Sequence, residues 1–474
     1  MNVVVLTVVN RHSELLTGGW STSVDDAITL LPREGAPAFQ IADGTTTVEV
    51  AVTPDSDRYF GGTVTLTVDP DGTPEITDDD GLLWATIRTE GTADARISSL
   101  IVAVSRLRLA TRDMTAALHR IVTAKHGDRE PTPQWLVPWL PPEADTMTLA
   151  PRENVHFIDA ETPIADGLVK FSAPKTASVA GDTFIVEVAG VRAPRAIAVS
   201  WPTAVPRDEP APMLLYYRPG CGQNVQHGYY VAPGLEPYPW AFDYAFFGML
   251  QQLWYLQDPL VGYSDVGVPY QLAESGRNVV TVLPCNSVGP EFGSFTDPAS
   301  VLEVLGEIQA FAAAAQGLQP AEKIGRVALG AFSSGNGFVS RLFSGGRGQR
   351  HPLLTDHIRE VYMFDPPNDV AEGLLNGVLA WARPLGADAK VRWYSRGLSP
   401  HHARLIGKAT PGAGPYVVDS SDGARSAGSI DPSQWQRSIA KASGIPSPRA
   451  LEWDDAHALI AAFLLTHAMK RSGF

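Results

Sequence analysis

Short runs of consecutive apolar residues that alternate with longer helical patterns constrain the fold of this chain more than any other feature. The apolar runs occupy residues 183–188, 195–201, 213–217, 278–283, 326–332, 360–364 and 390–394. Helical patterns cover 299–315 and 455–469, and another begins near 335. Strands that are apolar at nearly every position are typical of sheets buried on both faces. The sequence therefore predicts an α/β fold, with a mostly parallel sheet covered by helices on both faces.

The first 150 residues differ in character and predict a separate domain. Val- and Thr-rich runs at 3–9, 45–52, 62–68 and 82–87 are separated by turn signals such as Asp71-Gly72, which indicates a β-rich domain. Apolar residues at helical spacing from Ile97 to Ile121 predict one long helix or a helical hairpin over about 93–126. A proline-rich linker follows at 131–142, so we place the domain boundary near 150. The sequence does not indicate the role of residues 1–150.

Charge and composition exclude several classes of partner. The 474 residues carry a net charge of −14, and residues 1–150 alone hold 21 acidic against 11 basic residues. Without a basic stripe, neither nucleic acid nor an anionic membrane is a predicted partner. The sequence contains no apolar run of about 18 residues, so we predict no membrane-spanning segment. The start of the chain lacks a basic signal-peptide region, so cytoplasmic residence is the default expectation, with leaderless export left open. The two cysteines show no metal-ligand spacing, and we predict no metal and no cofactor.

One motif carries most of the functional information. Residues 326–338 read RVALGAFSSGNGF, which is an apolar strand followed by small residues and a helical pattern around Ser333. This segment resembles the nucleophile elbow of the α/β-hydrolase superfamily, with Ala331 in place of the first glycine. In such an elbow the strand turns sharply into a helix and holds the serine in a strained conformation with its hydroxyl free. We expect Ala331, Gly335 and Gly337 to let the strand and the helix approach each other closely.

The resemblance covers residues from about 175 to 474 and implies an α/β-hydrolase fold with Ser333 as nucleophile. A glycine-rich strand-to-helix turn without chemistry remains the alternative interpretation. The same five-residue pattern recurs around Ser426, but no apolar strand precedes that copy, and we predict a loop there.

The superfamily order of serine, acid and histidine implies a catalytic histidine late in the chain. His457, in the sequence WDDAH at the head of the last helical pattern, fits this position. Its imidazole would take the proton of Ser333 during attack and return it to the leaving group. The rivals are His467, which we expect to be a packing residue in mid-helix, and His401 with His402 in a predicted loop.

The acid that orients the imidazole is expected after one of the strands that follow the elbow. Asp365 directly follows the apolar run 360–364, and it is our first candidate, with Asp369 second. Asp419 and Asp422 remain open. An aspartate before proline is also typical of turn initiation, which is the alternative role for Asp365.

Two main-chain N–H groups are needed to stabilise the oxyanion. The resemblance implies the N–H of Ser334, at the start of the helix, as the first donor. The second would come from the loop after the run 213–217, where Pro219 has no N–H and leaves Cys221 or Gly222 as the donor.

An insertion of about fifty residues at 223–272 is unusually aromatic, and part of it, 240–256, has a helical pattern. Because ligands in α/β sheets bind at the carboxyl ends of strands, we predict a cap or pocket wall suited to an apolar acyl group. The residues that we expect to contact substrate are Trp240, Phe246, Phe247 and Trp254. The alternative is a helix that covers the sheet with its aromatics buried.

The function that this pattern favours is two-step acyl transfer on a carboxylic ester, with a small-molecule or lipid-like substrate and an acyl-enzyme on Ser333. An acyltransferase or a peptidase with the same triad is one alternative, and a non-catalytic binding protein on a hydrolase scaffold is another. The sequence does not indicate an oligomeric state.

Overall fold

The computed structural model describes residues 2–11, 20–24, 28–31, 37–55, 57–92, 95–112, 145–158, 171–190, 196–217, 267–284, 292–344, 350–406, 412–419, 426–429 and 453–474. All structural statements below concern these residues. The protein has mixed α/β content distributed over several sheets. None of the described helices is long and apolar enough to cross a lipid bilayer.

The N-terminal strands are β1 (Asn2–Val9), β2 (Trp20–Val24), β3 (Ile28–Leu31), β4 (Ala38–Ile41), β5 (Thr47–Pro54), β6 (Gly62–Val68), β7 (Pro74–Asp80), β8 (Trp84–Thr92) and β9 (Ala95–Ala103). They form one five-stranded sheet in the order β3-β4-β1-β9-β8 and one four-stranded sheet in the order β2-β5-β6-β7. Alternate residues such as Leu6, Val50 and Leu66 from both sheets share one core. The predicted β-rich region is therefore a two-layer arrangement of sheets.

The helix predicted at about 93–126 is wrong for residues 95–109, whereas Thr111 and Arg112 are helical. Residues 95–103 form β9 and residues 107–109 form strand β10 (Leu107–Leu109). Leu100 and Val102 are fully buried, whereas Ile97 is 53% exposed, so burial in β9 follows a period of two rather than a helical one. The β-branched residues of this stretch also favour a strand. Residues 113–126, and the proline-rich linker at 131–142, lie outside the described part of the chain.

The second large unit is a ten-stranded sheet in the order β10-β13-β14-β16-β15-β17-β18-β19-β20-β21. Its remaining strands are β13 (Gly181–Val188), β14 (Ala196–Pro202), β15 (Met213–Tyr217), β16 (Val280–Pro284), β17 (Val327–Phe332), β18 (Ile358–Phe364), β19 (Lys390–Leu398), β20 (Gly412–Asp419) and β21 (Ser426–Ser429). The five central strands β16, β15, β17, β18 and β19 are parallel, and the strands on both flanks are antiparallel. A small separate sheet pairs β11 (Arg152–Val155) with β12 (Lys175–Ala177). Because β10 pairs with β13, the large sheet already begins at Leu107, before the predicted boundary near 150.

The helices are α1 (Val268–Ser275), α2 (Pro298–Ala314), α3 (Asn336–Phe343), α4 (Asn368–Leu385), α5 (Pro400–Ile406) and α6 (Trp453–Lys470). Leu214 and Tyr216 of β15 share a core with α1 and α6. Met213 and Leu215, which alternate with them along the strand, share another core with α2, α3 and α4. Helices thus contribute to two cores, one for each set of alternating strand residues. That helices cover both faces of the sheet over its whole width stays a prediction.

Helix α6 runs antiparallel to the central strands. His467 Nδ1 lies 2.8 Å from the hydroxyl of Tyr394 in β19. Four residues later, just past the end of the helix, the carbonyl of Arg471 accepts from Arg392, which lies two residues earlier in β19. The last turn of α6 therefore lies at the amino ends of the parallel strands, and its first turn lies toward their carboxyl ends.

Two glutamates of helix α2, one turn apart, contact residues that directly follow the N-terminal strands β1 and β9. Arg106 donates to Glu303 at 2.7 Å, and Ser105 Oγ donates to Glu307 at 3.1 Å. Arg11 Nε lies 3.7 Å from the Glu307 carboxylate. Burial raises the pKa of Glu307 to about 7, although Arg11 and Ser105 act in the opposite direction. This junction holds a buried carboxyl between the two units.

Candidate active site

The chain makes a sharp strand-to-helix bend at Ser333. Strand β17 is buried at every position and ends at Phe332, and a short 3-10 segment, Ser333–Gly335, leads directly into α3. Ser333 adopts a φ of +53°, a left-handed conformation that non-glycine residues rarely take and that costs on the order of 1–3 kcal/mol. Its side chain is partly buried and Ser334 is exposed. This is the local geometry that the sequence predicts for residues 331–335.

The small residues around the bend do not all allow the close approach of strand and helix that the sequence predicts. A Cβ added to Gly337 would find its nearest neighbour, Val370, at 3.8 Å, which is ordinary van der Waals contact. The close approach occurs instead at Gly330 in β17, where an added Cβ would lie 2.5 Å from the ring of Tyr216. Gly337 therefore does not make room for the helix, and Gly330 makes room for a buried aromatic ring.

Asp365 occupies the corresponding bend at the end of the neighbouring strand. Phe332 of β17 pairs with Phe364 of β18, so Ser333 and Asp365 are the next residues along two parallel strands about 5 Å apart. Asp365 has a φ of +44° and is 5% exposed. Within the described part of the chain, Ser333 and Asp365 are the two non-glycine residues with a positive φ. Backbone strain of this kind clusters at functional sites, which makes this edge the candidate site.

The carboxylate of Asp365 is held by the end of β19. Its Oδ1 accepts the backbone N–H of Arg396 at 2.9 Å and the hydroxyl of Ser395 at 3.4 Å. Its Oδ2 forms an ion pair with the guanidinium of Arg396. The backbone N–H of Asp365 donates to the carbonyl of Tyr394 at 2.7 Å. Sequence reasoning missed Arg396, because β19 and β18 are neighbours only in the folded sheet.

A buried asparagine connects the two bends. Asn336, the first residue of α3, donates from Nδ2 to the carbonyl of Ser333 at 2.9 Å and to the carbonyl of Phe364 at 3.1 Å. Its side chain is fully buried. Asn336 stands inside the motif that the sequence analysis quotes, but neither its spacing nor its residue type indicates that it would reach β18.

His457 lies in the first turns of α6, and the structure describes its backbone but not its side chain. It precedes His467 by ten residues, which corresponds to about 15 Å along a helix axis. Because α6 runs antiparallel to the central strands, this displacement is toward the edge that carries Ser333 and Asp365. The predicted contact between His457 and Ser333 stays a prediction.

The rival histidines occupy other surroundings. His467 is 3% exposed and lies against Tyr394, the packing position that we expect for it. His401 and His402 do not lie in a loop, as predicted, but in helix α5, where His401 Nε2 is 3.2 Å from Glu372. Burial and the neighbouring His401 lower the pKa of His402, which packs near the ring of Trp393.

The other predicted residues are placed as follows. Asp369 lies in α4 and Asp419 ends β20, and their side chains are outside the described part of the structure. The second copy of the motif around Ser426 is wrong as a loop, because residues 426–429 form edge strand β21 paired with β20. That copy is not followed by a described helix. Several calls lie outside the described residues, namely Asp422, Cys221, Gly222, Trp240, Phe246, Phe247 and Trp254.

Two cavities in the described part of the protein lie away from this edge. One of about 400 Å³ is lined by residues such as Pro202 and Val279, and one of about 450 Å³ by Arg11, Trp84 and Lys323. Both lie toward the amino ends of the parallel strands. Within the same residues, no group of three or more His, Cys, Asp or Glu side chains is arranged to hold a metal ion.

Comparisons with known proteins add little to this geometry. No family model matches the chain, and no curated protein matches it. Among solved structures, the chain is similar to a post-proline cleaving enzyme from Rickettsia typhi, with 11% sequence identity and a TM-score of 0.17. The match covers 76% of this chain and 37% of that enzyme, so it spans well under half of the enzyme's length.

Proposed function

We propose that this protein is a serine hydrolase of the α/β-hydrolase type, which cleaves carboxylic esters through an acyl-enzyme on Ser333. The observation that carries the proposal is the left-handed conformation of Ser333 at the end of a buried parallel strand. A strained bend of this kind places the serine hydroxyl at the end of the sheet, beyond the last residue of the strand. The bend at Asp365 on the next strand brings a carboxylate to the same edge.

In the proposed reaction the oxygen of Ser333 attacks the ester carbonyl, and its proton passes to the imidazole of His457. The protonated imidazole then gives this proton to the departing alcohol, which leaves an acyl group on Ser333. Water then gives a proton to the same imidazole and attacks the acyl-enzyme, and the imidazolium returns this proton to the oxygen of Ser333 as the bond to the acyl group breaks and the acid is released. Asp365 orients the imidazole in this scheme, and its pairing with Arg396 sets how strongly it does so.

The backbone N–H of Ser334 is the proposed first donor to the oxyanion. Ser334 lies in the 3-10 segment that opens a helical stretch, and the first N–H groups of such a stretch have no acceptor within the helix. They point toward the edge where negative charge develops on the carbonyl oxygen. We propose Cys221 or Gly222 as the second donor, and the aromatic segment at 223–272, with Trp240, Phe246, Phe247 and Trp254, as the wall that receives the acyl group.

Labelling with a fluorophosphonate probe tests the proposal, because the probe reacts with an activated serine. We expect the wild type to be labelled, and Ser333→Ala and His457→Ala to lose labelling. With short-chain p-nitrophenyl esters, Ser333→Ala is expected to lower kcat by on the order of 10⁴ to 10⁶.

Ser426→Ala is the matched control, since Ser426 stands in the same five-residue pattern but in an edge strand. It is expected to label at the wild-type rate. A wild type that is not labelled, or a Ser333→Ala variant that is labelled equally, contradicts the proposal.

A further inference from the structure

We propose that Asn336 is a positioning residue for the reaction at Ser333, because one buried amide joins the two strained bends of the candidate site. This inference rests on the proposed function. Both bonds come from the same nitrogen: Asn336 Nδ2 donates to the carbonyl of Ser333 at 2.9 Å and to the carbonyl of Phe364 at 3.1 Å. The two hydrogens of the amide are thereby both used.

The two accepting carbonyls stand where regular structure ends. Phe364 is the last residue of β18 and directly precedes Asp365, and Ser333 directly follows the last residue of β17. The carbonyl of Ser333 also accepts the backbone N–H of Asn336. Buried carbonyl groups need a donor, and a strand that turns away at its end no longer supplies one to its neighbour. Asn336 supplies the donor at both strand ends.

The connection fixes the separation of the bends. Each left-handed residue is held in a strained conformation, and it relaxes where its surroundings allow it. Tying the carbonyl of Ser333 to the carbonyl before Asp365 restricts both relaxations at once. In a well-oriented active site, a displacement of about 1 Å lowers the rate on the order of 10²-fold. Asn336 touches no reacting atom in this account, and it acts through the placement of Ser333 and Asp365.

A purely structural role would be shared by any comparable buried amide, and the chain offers one. Gln309 in α2 is 1% exposed and donates from Nε2 to the carbonyls of Lys323 at 3.0 Å and Ala321 at 3.3 Å. Its carbonyl accepts the N–H of Ala211 at 3.0 Å. These partners lie just before β15 and β17 begin, at the amino ends of the parallel strands. Gln309→Ala therefore removes a matched set of bonds far from Ser333.

The experiment compares Asn336→Ala, the isosteric Asn336→Asp and Gln309→Ala with the wild type. For each, the second-order rate of fluorophosphonate labelling and the kcat and KM for a p-nitrophenyl ester are divided by the folded fraction, measured by near-ultraviolet circular dichroism. We expect both Asn336 variants to lose on the order of 10² in labelling rate and kcat, with KM within about threefold of the wild type. Gln309→Ala is expected to lose stability but to keep the wild-type rate per folded molecule.

Each of the other possible outcomes overturns either the positioning role of Asn336 or the proposed function. Labelling of the Asn336 variants at the wild-type rate overturns the positioning role and leaves the proposed function standing. Failure of both Asn336 variants to fold, where Gln309→Ala folds, assigns Asn336 to the fold and also overturns the positioning role. A wild type that is not labelled at all overturns the proposed function, and this inference with it.

Discussion

The two ends of the parallel strands differ in how their polar groups are held. At the amino ends, Glu360 and Arg392 form a buried ion pair at 2.8 Å, and Tyr362 and the backbone of Gly473 both donate to the same carboxylate. At the carboxyl ends, the buried carboxylate of Asp365 also pairs with an arginine, Arg396, but Asp365 and Ser333 both adopt strained left-handed conformations. One end of the sheet therefore holds its buried charge on regular strands, whereas the other holds it on strained backbone next to a serine.

The largest effect is expected from a substitution that separates backbone strain from reactivity at Ser333. Ser333→Gly removes the hydroxyl and permits the left-handed conformation without a Cβ. We expect esterase activity to fall by on the order of 10⁴ or more, while the free energy of unfolding rises by about 1 kcal/mol. Urea unfolding and p-nitrophenyl ester hydrolysis measure the two quantities. A less stable variant would argue against stored strain at this bend.

A smaller effect is expected from the carboxylate at the same end. Asp365→Asn removes the charge that would orient the imidazole, and we expect kcat to fall by on the order of 10² to 10⁴ with little change in KM. Asp369→Asn, in the first turn of α4, is the matched comparison. If steady-state kinetics showed the larger fall in kcat for Asp369→Asn, the role of the acid would be assigned to Asp369.

Breaking the ion pair at the amino ends should affect stability alone. Arg392→Met leaves the carboxylate of Glu360 buried without its cation, and we expect a loss of about 3–5 kcal/mol in the free energy of unfolding. Arg326→Met, which removes a weak exposed bond to the carbonyl of Gly473, is expected to change it by less than about 1 kcal/mol. Both should keep the wild-type kcat per folded molecule. A selective fall in kcat for Arg392→Met would show that the two ends are coupled.

The smallest effect concerns pH at the junction between α2 and the N-terminal strands. The pKa of Glu307 is raised from 4.5 to about 7, so the folded protein binds this proton more tightly than the unfolded chain does. The associated stability is fully present below about pH 4.5 and is lost as pH rises through about 7, a change of about 3 kcal/mol. Glu307→Gln should remove this part of the pH dependence, as followed by urea unfolding at several pH values.

Glu303→Gln is a second probe of the same junction. Because the charge of Glu303 also raises the pKa of Glu307, we expect this variant to weaken the pH dependence without abolishing it. An equal slope in the wild type and in Glu307→Gln would assign the pH dependence to other groups.

Much of the large sheet follows from the sequence because its signals are local. Runs such as residues 213–217 are apolar at every position, and the structure places a strand with these same bounds there. The bend at Ser333 is also encoded locally, by a buried strand followed at once by small residues. The strands and the bend could be predicted because each depends on residues that are adjacent in sequence.

Other features depend on partners that only the fold brings together. The apolar spacing around Leu100 and Val102 fits a helix nearly as well as a strand, and pairing with β1 decides for the strand. Arg396 reaches Asp365 and Asn336 reaches Phe364 across strands that are about thirty residues apart in sequence. No local pattern distinguishes these side chains from ordinary surface arginine or helix-start asparagine.

The anchoring of helix α6 determines how well the end of the chain tolerates insertions and deletions. Its last turn is fixed, since Arg277 donates to the carbonyls of Lys470 and Phe474, and His467 meets Tyr394 farther up the helix. Inserting or deleting one residue between His457 and His467 would rotate the earlier imidazole by about 100° around the helix axis and shift it by about 1.5 Å. The ten-residue spacing therefore sets where His457, the proposed base, lies, and point substitutions between the two histidines should be better tolerated than insertions or deletions.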